Sequence, residues 1–290
     1  MRTIGYLGPK GTFTEMAVNA LFPKEKTVPY TTIPNCMDAV SNESVDIAVV
    51  PLENAIEGSV NVTLDYIIHK HTLPIVGEII VPIEQQLLVN NQNKEEWSTV
   101  EVIYSHPHAI AQCHDFLRNV LPNARIQYMN STGAAAQYVN EHPEEKAAAI
   151  ANELAATVYD LSIVERNIHD YGNNRTRFVL LAKEAEKFSS PLYVGDKTTM
   201  MFTLPSDFSG ALHQVLSAFA WRKLNLSKIE SRPMKTGLGN YYFVIDVEHA
   251  LDDVLIPGVT AELEALGCGV RILGSYPCYS LNKEKDPVPK

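Results

Sequence analysis

Short apolar runs alternate with amphipathic stretches along most of the chain. Thr3-Ile4-Gly5-Tyr6-Leu7 predicts a buried strand, and Gly8-Pro9-Lys10-Gly11-Thr12 then turns into a helix opening at Phe13, with Thr12 as its cap and Glu15 three residues on. A strand at 28–30, a helix over 34–43, an apolar strand over 45–50 and a helix carrying Val60, Leu64, Ile67 and Ile68 continue the alternation. After β-rich runs at 73–80 and 86–89, strands at 100–104, 125–129 and 147–150 interleave with helices at 107–120, 132–141 and 152–158. Such alternation predicts largely parallel, doubly wound sheets. The two crossings divide residues 1–183 into a lobe of 1–78 plus 168–183 and a lobe of 79–167, the cleft architecture of periplasmic-type binding proteins.

The pattern changes after residue 183. Residues 184–197 are polar, carry Ser189-Ser190-Pro191 and read as a linker. Strand 198–204, helix 209–224, strands 227–235 and 240–247, helix 252–266 and strand 269–279 give the order βαββαβ, the ferredoxin-like arrangement, with 281–290 a polar tail. Leu212, Val215, Leu216, Phe219, Ala220 and Leu224 share one face of the first of these helices. Thr236-Gly237-Leu238-Gly239-Asn240 reads as a hairpin connection.

Composition narrows the class. A chain of 290 residues with 46% hydrophobic and 20% charged content is an ordinary globular protein of two or three domains. A net charge of −10 argues against nucleic acid or an anionic membrane as partner, and means that an anionic ligand needs a locally positive pocket. The start is too short for a signal-peptide core and no apolar run reaches the roughly 20 residues of a membrane span, so a cytoplasmic location is expected. Cys36, Cys113, Cys268 and Cys278 have no paired spacing and read as buried, reduced thiols. The pairs His69/His71 and His106/His108, with His114, lack the Cys or acid partners of a metal site; neither metal nor cofactor is expected.

The densest chemistry is Asp170-Tyr171-Gly172-Asn173-Asn174-Arg175-Thr176-Arg177-Phe178, running into the apolar strand Phe178–Ala182. A hydroxyl between two guanidinium groups suits an anion with an oxygen to be polarised or expelled, although a polar turn entering a strand is the plainer reading. Helix starts at Thr12, Ser59, Ser105 and Ser131 add anion-receptive amides, each equally explained as a simple cap.

The run Asp170, Asn174, Thr176, Arg177, Phe178 resembles the signature of prephenate dehydratases, which convert prephenate to phenylpyruvate, water and carbon dioxide. Gly8-Pro9-x-Gly11-Thr12-Phe13, Glu53-Asn54 with Gly58-Ser59-Val60, Ser105-His106-Pro107 and Ser131-Thr132 resemble that family's cleft motifs, in its order. The resemblance implies Thr176 as the catalytic hydroxyl. It implies a substrate site drawn from Thr12, Asn54, Gly58, Ser59, Ser105, Pro107, Ser131, Asn174, Arg177 and Phe178, with Arg177 on a substrate carboxylate. Ala55 and His108 stand where many members have Ser and Gln. The C-terminal unit resembles an ACT domain, in which Gly210-Ala211-Leu212 and Glu230-Ser231-Arg232-Pro233 form a phenylalanine-sensing site, usually across a subunit interface. The expected protein is therefore an α/β, two-lobed catalytic domain followed by a βαββαβ regulatory domain. It is monofunctional, inhibited by phenylalanine, and a homodimer or homotetramer. An arogenate dehydratase and a non-catalytic solute sensor are the alternatives.

Overall fold

In the computed structural model, which describes residues 2–70, 73–184, 189–205, 209–234 and 241–282, the first apolar run becomes β1 (Thr3–Leu7), with Ile4 and Tyr6 fully buried. α1 (Phe13–Leu21), β2 (Lys26–Tyr30), α2 (Ile33–Ser41), β3 (Ile47–Asn54), the two-residue β4 (Gly58–Ser59) and α3 (Asn61–His69) follow. β1 lies between β2 and β3 and parallel to both. β4 folds back antiparallel on the end of β3, pairing Glu53 with Ser59 and Asn54 with Gly58.

After β5 (Ile75–Pro82) the chain builds a second sheet from β6 (Gln86–Asn90), β7 (Val102–Ser105), β8 (Arg125–Tyr128), β9 (Ala147–Ala151) and β10 (Leu161–Glu165). Between them lie α4 (Pro107–Ala111), α5 (His114–Val120), α6 (Thr132–Glu141) and α7 (Glu153–Val158). β11 (Arg175–Leu181) then returns beside β3. The second sheet has the order β10-β6-β9-β7-β8 among the described residues. β7 runs parallel to β8 and β9, whereas β6 is antiparallel to β9 and β10. The sheet is thus mixed, not largely parallel: β7, β8, β9 and β10 point one way, and β6, the strand by which the chain enters the sheet, runs against them, so that it is antiparallel to both of its neighbours. The single helix expected over 107–120 is two, because the chain turns at the fully buried Cys113, whose amide bonds the carbonyl of Ile110.

Both faces of this sheet are covered, which is why 86–89 reads as an unbroken apolar run. Leu87 and Val89 face Ile103, Ile110 and Leu117, while Leu88 faces Ala135, Ala136, Ala149 and Ala155. Small side chains on β9, α6 and α7 let the helices sit close. At Gly133, in its first turn, α6 also presses on the loop before α1: a Cβ there would lie 2.5 Å from the carbonyl oxygen of Lys10. That same oxygen accepts a hydrogen bond of 3.0 Å from Tyr159.

Residues Met1–Tyr66 and Ile80–Val179 form one compact unit; Ile67–Ile79 and Leu180–Lys290 form another. The second unit contains β12 (Tyr193–Thr203), α8 (Ala211–Trp221), β13 (Leu226–Pro233), β14 (Tyr241–Val247), α9 (Leu255–Ala265) and β15 (Gly269–Ser280). Its strands are antiparallel in the order β13-β14-β12-β15, the ferredoxin-like arrangement. The helices cover a core of Met200, Phe202, Val215, Phe219, Ile245, Ile256 and Leu263.

This division differs from the expected one at both edges. Residues 67–79 group with the second unit because Arg271 donates to the carbonyls of Ile67 (2.8 Å) and Ile68 (3.0 Å), and Gly274 packs on the carbonyl of Ile75. The expected linker is already strand from Tyr193, paired with Tyr279, and Lys197 reaches the buried Glu78 at 2.6 Å. The hairpin at 236–240, residues 185–188 of the linker and most of the tail lie outside the described residues.

Gly133→Ala should cost about 1–3 kcal/mol, the usual penalty for forcing atoms into a packed contact. Urea unfolding checks this, and an unchanged midpoint would mean that the 8–12 loop yields freely.

Candidate active site

A cavity of about 460 Å³ lies in the first compact unit, lined from both of its sheets. Its geometry starts at the β3–β4 turn. The Asn54 side-chain oxygen accepts from the amides of Ile56 and Glu57, both at 3.0 Å, which fixes the turn and the orientation of the side-chain amide. The Asn54 nitrogen then donates to Asn174 Oδ1 (2.9 Å), Thr176 Oγ1 (2.9 Å) and the Arg175 carbonyl (3.2 Å). Two protons serve three acceptors, so one is shared. Thr176 is 8% exposed and lines the cavity. Its hydroxyl oxygen is thus occupied as an acceptor, and its own proton remains available to a ligand.

Two helix N-termini face the same space. Thr12 caps α1 by accepting from Glu15 N, and Ser131 caps α6 by accepting from Ala134 N. Each cap takes only the third residue's amide, leaving the earlier amides of Phe13 and Thr132, both on the cavity wall, pointed out of the helix. The loop before α1 is fastened by Glu15, which accepts from Gly11 N at 2.6 Å and Tyr6 OH at 3.0 Å. Gly11 sits at φ 74, a conformation that suits glycine.

The remaining wall holds His106, His108, Gln112, Gln85 and Glu57. His106 caps α4 by accepting on Nδ1 from His108 N (3.3 Å), so a neutral ring carries its proton on Nε2. Burial, and then neighbouring His108, hold His106 below the ordinary histidine range, with Glu57 partly opposing. His108 Nε2 lies 3.7 Å from Glu57 Oε2. No Lys or Arg is among the lining residues.

Of the residues chosen from sequence, Thr12, Asn54, Gly58, Ser59, Ser131 and Thr176 line this cavity together. Five do not. Ser105 is fully buried and donates to the Ile150 carbonyl at 2.6 Å, and His106, not Ser105, caps the helix. Pro107 lines a separate apolar groove with Ile110, Leu117 and Tyr128. Asn174 supports the wall from behind through Asn54. Arg177 is 8% exposed, with its guanidinium 3.6 Å from Glu53 Oε2, since neighbours of Thr176 along a strand point to the other face. Phe178 is buried in the core at 2% exposure. The sequence reading missed Gln85 and Gln112. Gln112 follows His108 by four residues, the spacing of one helical face; Gln85 is marked only as a polar break in an apolar run.

Gly210, at φ 93, precedes Ala211 and Leu212 at the start of α8 without a side-chain cap. At the end of β13, Glu230 lies between Lys228 (3.2 Å) and Arg232 (3.7 Å) on one face, with Ser231 on the other and Pro233 closing the strand. Among the described residues no three His, Cys, Asp or Glu side chains are grouped as metal ligands, and no helix is long and apolar enough to cross a membrane.

A family model described as prephenate dehydratase matches residues 4–186. The prephenate dehydratase of Bacillus subtilis (strain 168) is 56% identical over 283 residues, which cover 96% of this chain and 99% of that one. The crystal structure of prephenate dehydratase from Arthrobacter aurescens in complex with L-Phe matches with a TM-score of 0.84 and 35% identity, covering 98% of this chain and 91% of that one. A quorum quenching acylase also matches, with a TM-score of 0.81 and 26% identity, covering 96% and 98%. The fold therefore carries more than one activity, and the chemistry must be read from the site.

Asn54→Ala should destabilise the protein by about 1–3 kcal/mol, because it strands the buried oxygen of Asn174 and frees the turn amides. A urea midpoint equal to wild type would show that the bridge holds nothing.

Proposed function

The chain belongs to the prephenate dehydratase family, and we propose that the cavity bearing Thr176 is where it carries out that reaction. Prephenate has two carboxylates and a ring hydroxyl. The bond to the ring carboxylate breaks, its electron pair moves through the diene, and the C–O bond opposite breaks as the ring becomes aromatic. Carbon dioxide and hydroxide leave; the hydroxide gains a proton to become water, and phenylpyruvate remains. Aromatisation supplies the drive, so the protein's task is to ease the departing oxygen.

The observation that carries this reading is the hydrogen bond from Asn54 to Thr176 Oγ1. It occupies the oxygen and aims the threonine proton at a bound ligand. Thr176 then donates to the leaving oxygen as charge builds there, acting as a fixed dipole and not as a proton store, because an alcohol is far too weak an acid to stay ionised at neutral pH. Asn54 is a positioning residue.

The first-turn amides of α1 and α6 take the pyruvyl carboxylate, where backbone dipoles favour negative charge. The ring carboxylate is left loosely held, since its charge vanishes in the transition state. Arg177 holds Glu53, and with it the end of β3, instead of touching substrate. Ser105 and Phe178 are scaffold for the same wall.

Phenylalanine acts as inhibitor at the second unit, an ACT domain. Support comes from the L-Phe complex of the Arthrobacter aurescens relative, the left-handed Gly210 opening α8 and the charged face around Glu230. Exposed Trp221, Ile229 and Tyr241 on this unit support a homodimer or homotetramer. Four free, buried thiols agree with a reducing cytoplasm.

With prephenate as substrate, Thr176→Ser should keep much of the turnover. Thr176→Val should lose about a hundredfold, the effect of one such donor at roughly 3 kcal/mol; near-normal turnover in the valine variant would remove Thr176 from the chemistry. Glu230→Ala or Arg232→Ala should abolish phenylalanine binding by calorimetry while leaving catalysis intact. No binding to the wild type, or a monomer by light scattering, would count against the regulatory reading.

A further inference from the structure

Gln85 is 2% exposed, yet it lines the cavity, and its side-chain oxygen has no hydrogen-bond partner among the described residues. Its main chain is fully engaged: its amide donates to His169 Nδ1 at 3.3 Å and its carbonyl accepts from Ile168 N at 2.9 Å. Its side-chain nitrogen donates to Gln112 Oε1 at 3.5 Å, which orients the amide and leaves the oxygen as the unspent group. Asn152 and Asn174 also bury an unpartnered amide nitrogen. Their oxygens, however, cap α7 and accept from Asn54, and neither residue lines the cavity. Gln85 alone of the three is a residue of the cavity wall, with its idle oxygen buried just behind that surface.

A buried carbonyl oxygen left without a donor is costly, and a polar site that keeps such a group rewards a ligand able to satisfy it. The ligand must therefore bring an O–H or N–H. At neutral pH both carboxylates of prephenate are ionised and its ketone only accepts. The ring hydroxyl is its one donor.

We infer that Gln85 is a substrate-contacting residue whose side-chain carbonyl accepts the hydrogen bond of the ring hydroxyl; this rests on the prephenate reading of the cavity. The leaving oxygen is then held at two points, accepting from Thr176 and donating to Gln85. This fixes the hydroxyl torsion and turns a lone pair towards the threonine proton. The O–H survives bond cleavage, because hydroxide and then water keep it, so the contact is made in ground and transition states alike. Its loss appears mainly in KM.

The test compares wild type with Gln85→Met and Gln85→Leu, reading kcat and KM on prephenate and the inhibition constant of phenylpyruvate, which has no ring hydroxyl. Removal of one neutral hydrogen bond predicts a roughly tenfold fall in kcat/KM, carried by KM. It also predicts an unchanged phenylpyruvate constant and a melting temperature close to wild type, since the variants delete an unpaired oxygen along with the long 3.5 Å bond to Gln112. Wild-type kcat/KM in both variants would overturn the inference. So would a parallel loss of phenylpyruvate binding, which would make Gln85 a carboxylate ligand or a structural residue. A wild-type protein that does not turn over prephenate would instead overturn the substrate reading, and this inference with it.

Discussion

One side-chain amide, that of Asn54, ties the cavity together. On its oxygen side it closes the turn that brings β4 back against β3; on its nitrogen side it clasps the first residues of β11. These segments are 120 residues apart in sequence, so the contact has to be reached through the whole path of the second sheet. Once made, it does three things with one group: it joins two strands, satisfies the buried side-chain oxygen of Asn174 and orients the hydroxyl of Thr176. Preorganisation of this kind is where electrostatic catalysis gains, because nothing has to reorient when charge appears.

The acidic balance of the chain frames the second problem. A protein of net charge −10 that receives a dianion needs positive potential without spreading it over the surface. The starts of α1 and α6 both line one space, and in the proposed reading their backbone amides meet this need. Amides supply partial positive charge but no proton and no flexible side chain. They can hold a carboxylate whose charge persists and leave ungripped the one whose charge is lost. Arg177, the obvious cation in the sequence, is turned to Glu53 on the far face of its strand.

This contrast marks what could be read from sequence. Strands, helices and the βαββαβ order follow from hydrophobic period, which the fold obeys because each face has a definite neighbour. The hydroxyl of Thr176, the caps Thr12 and Ser131 and the bridge residue Asn54 were legible because each stands at a strand end or helix start. Arg177 was misplaced because neighbours along a strand send their side chains to opposite faces, and motif spacing does not say which. Ser105 and Phe178 lie in the interior, Ser105 bonded to the Ile150 carbonyl, and motif spacing carries no sign of burial. Gln85 was invisible because its neighbours Ile83 and Leu87 spell core. Only the crossing between the two sheets turns it to the cavity.

The seating of Gly133 on the Lys10 carbonyl also has a genetic reading. Every amino acid reachable from a glycine codon by one base change carries a Cβ, so each missense step at this position inserts an atom where the oxygen already lies. The neighbouring wall is assembled from side chains that can be exchanged for others of like size; this point of backbone contact offers no near-neutral exchange. Variation that widens or reshapes the cleft is therefore channelled to the His106–Gln112 side, where the wall is built from side chains.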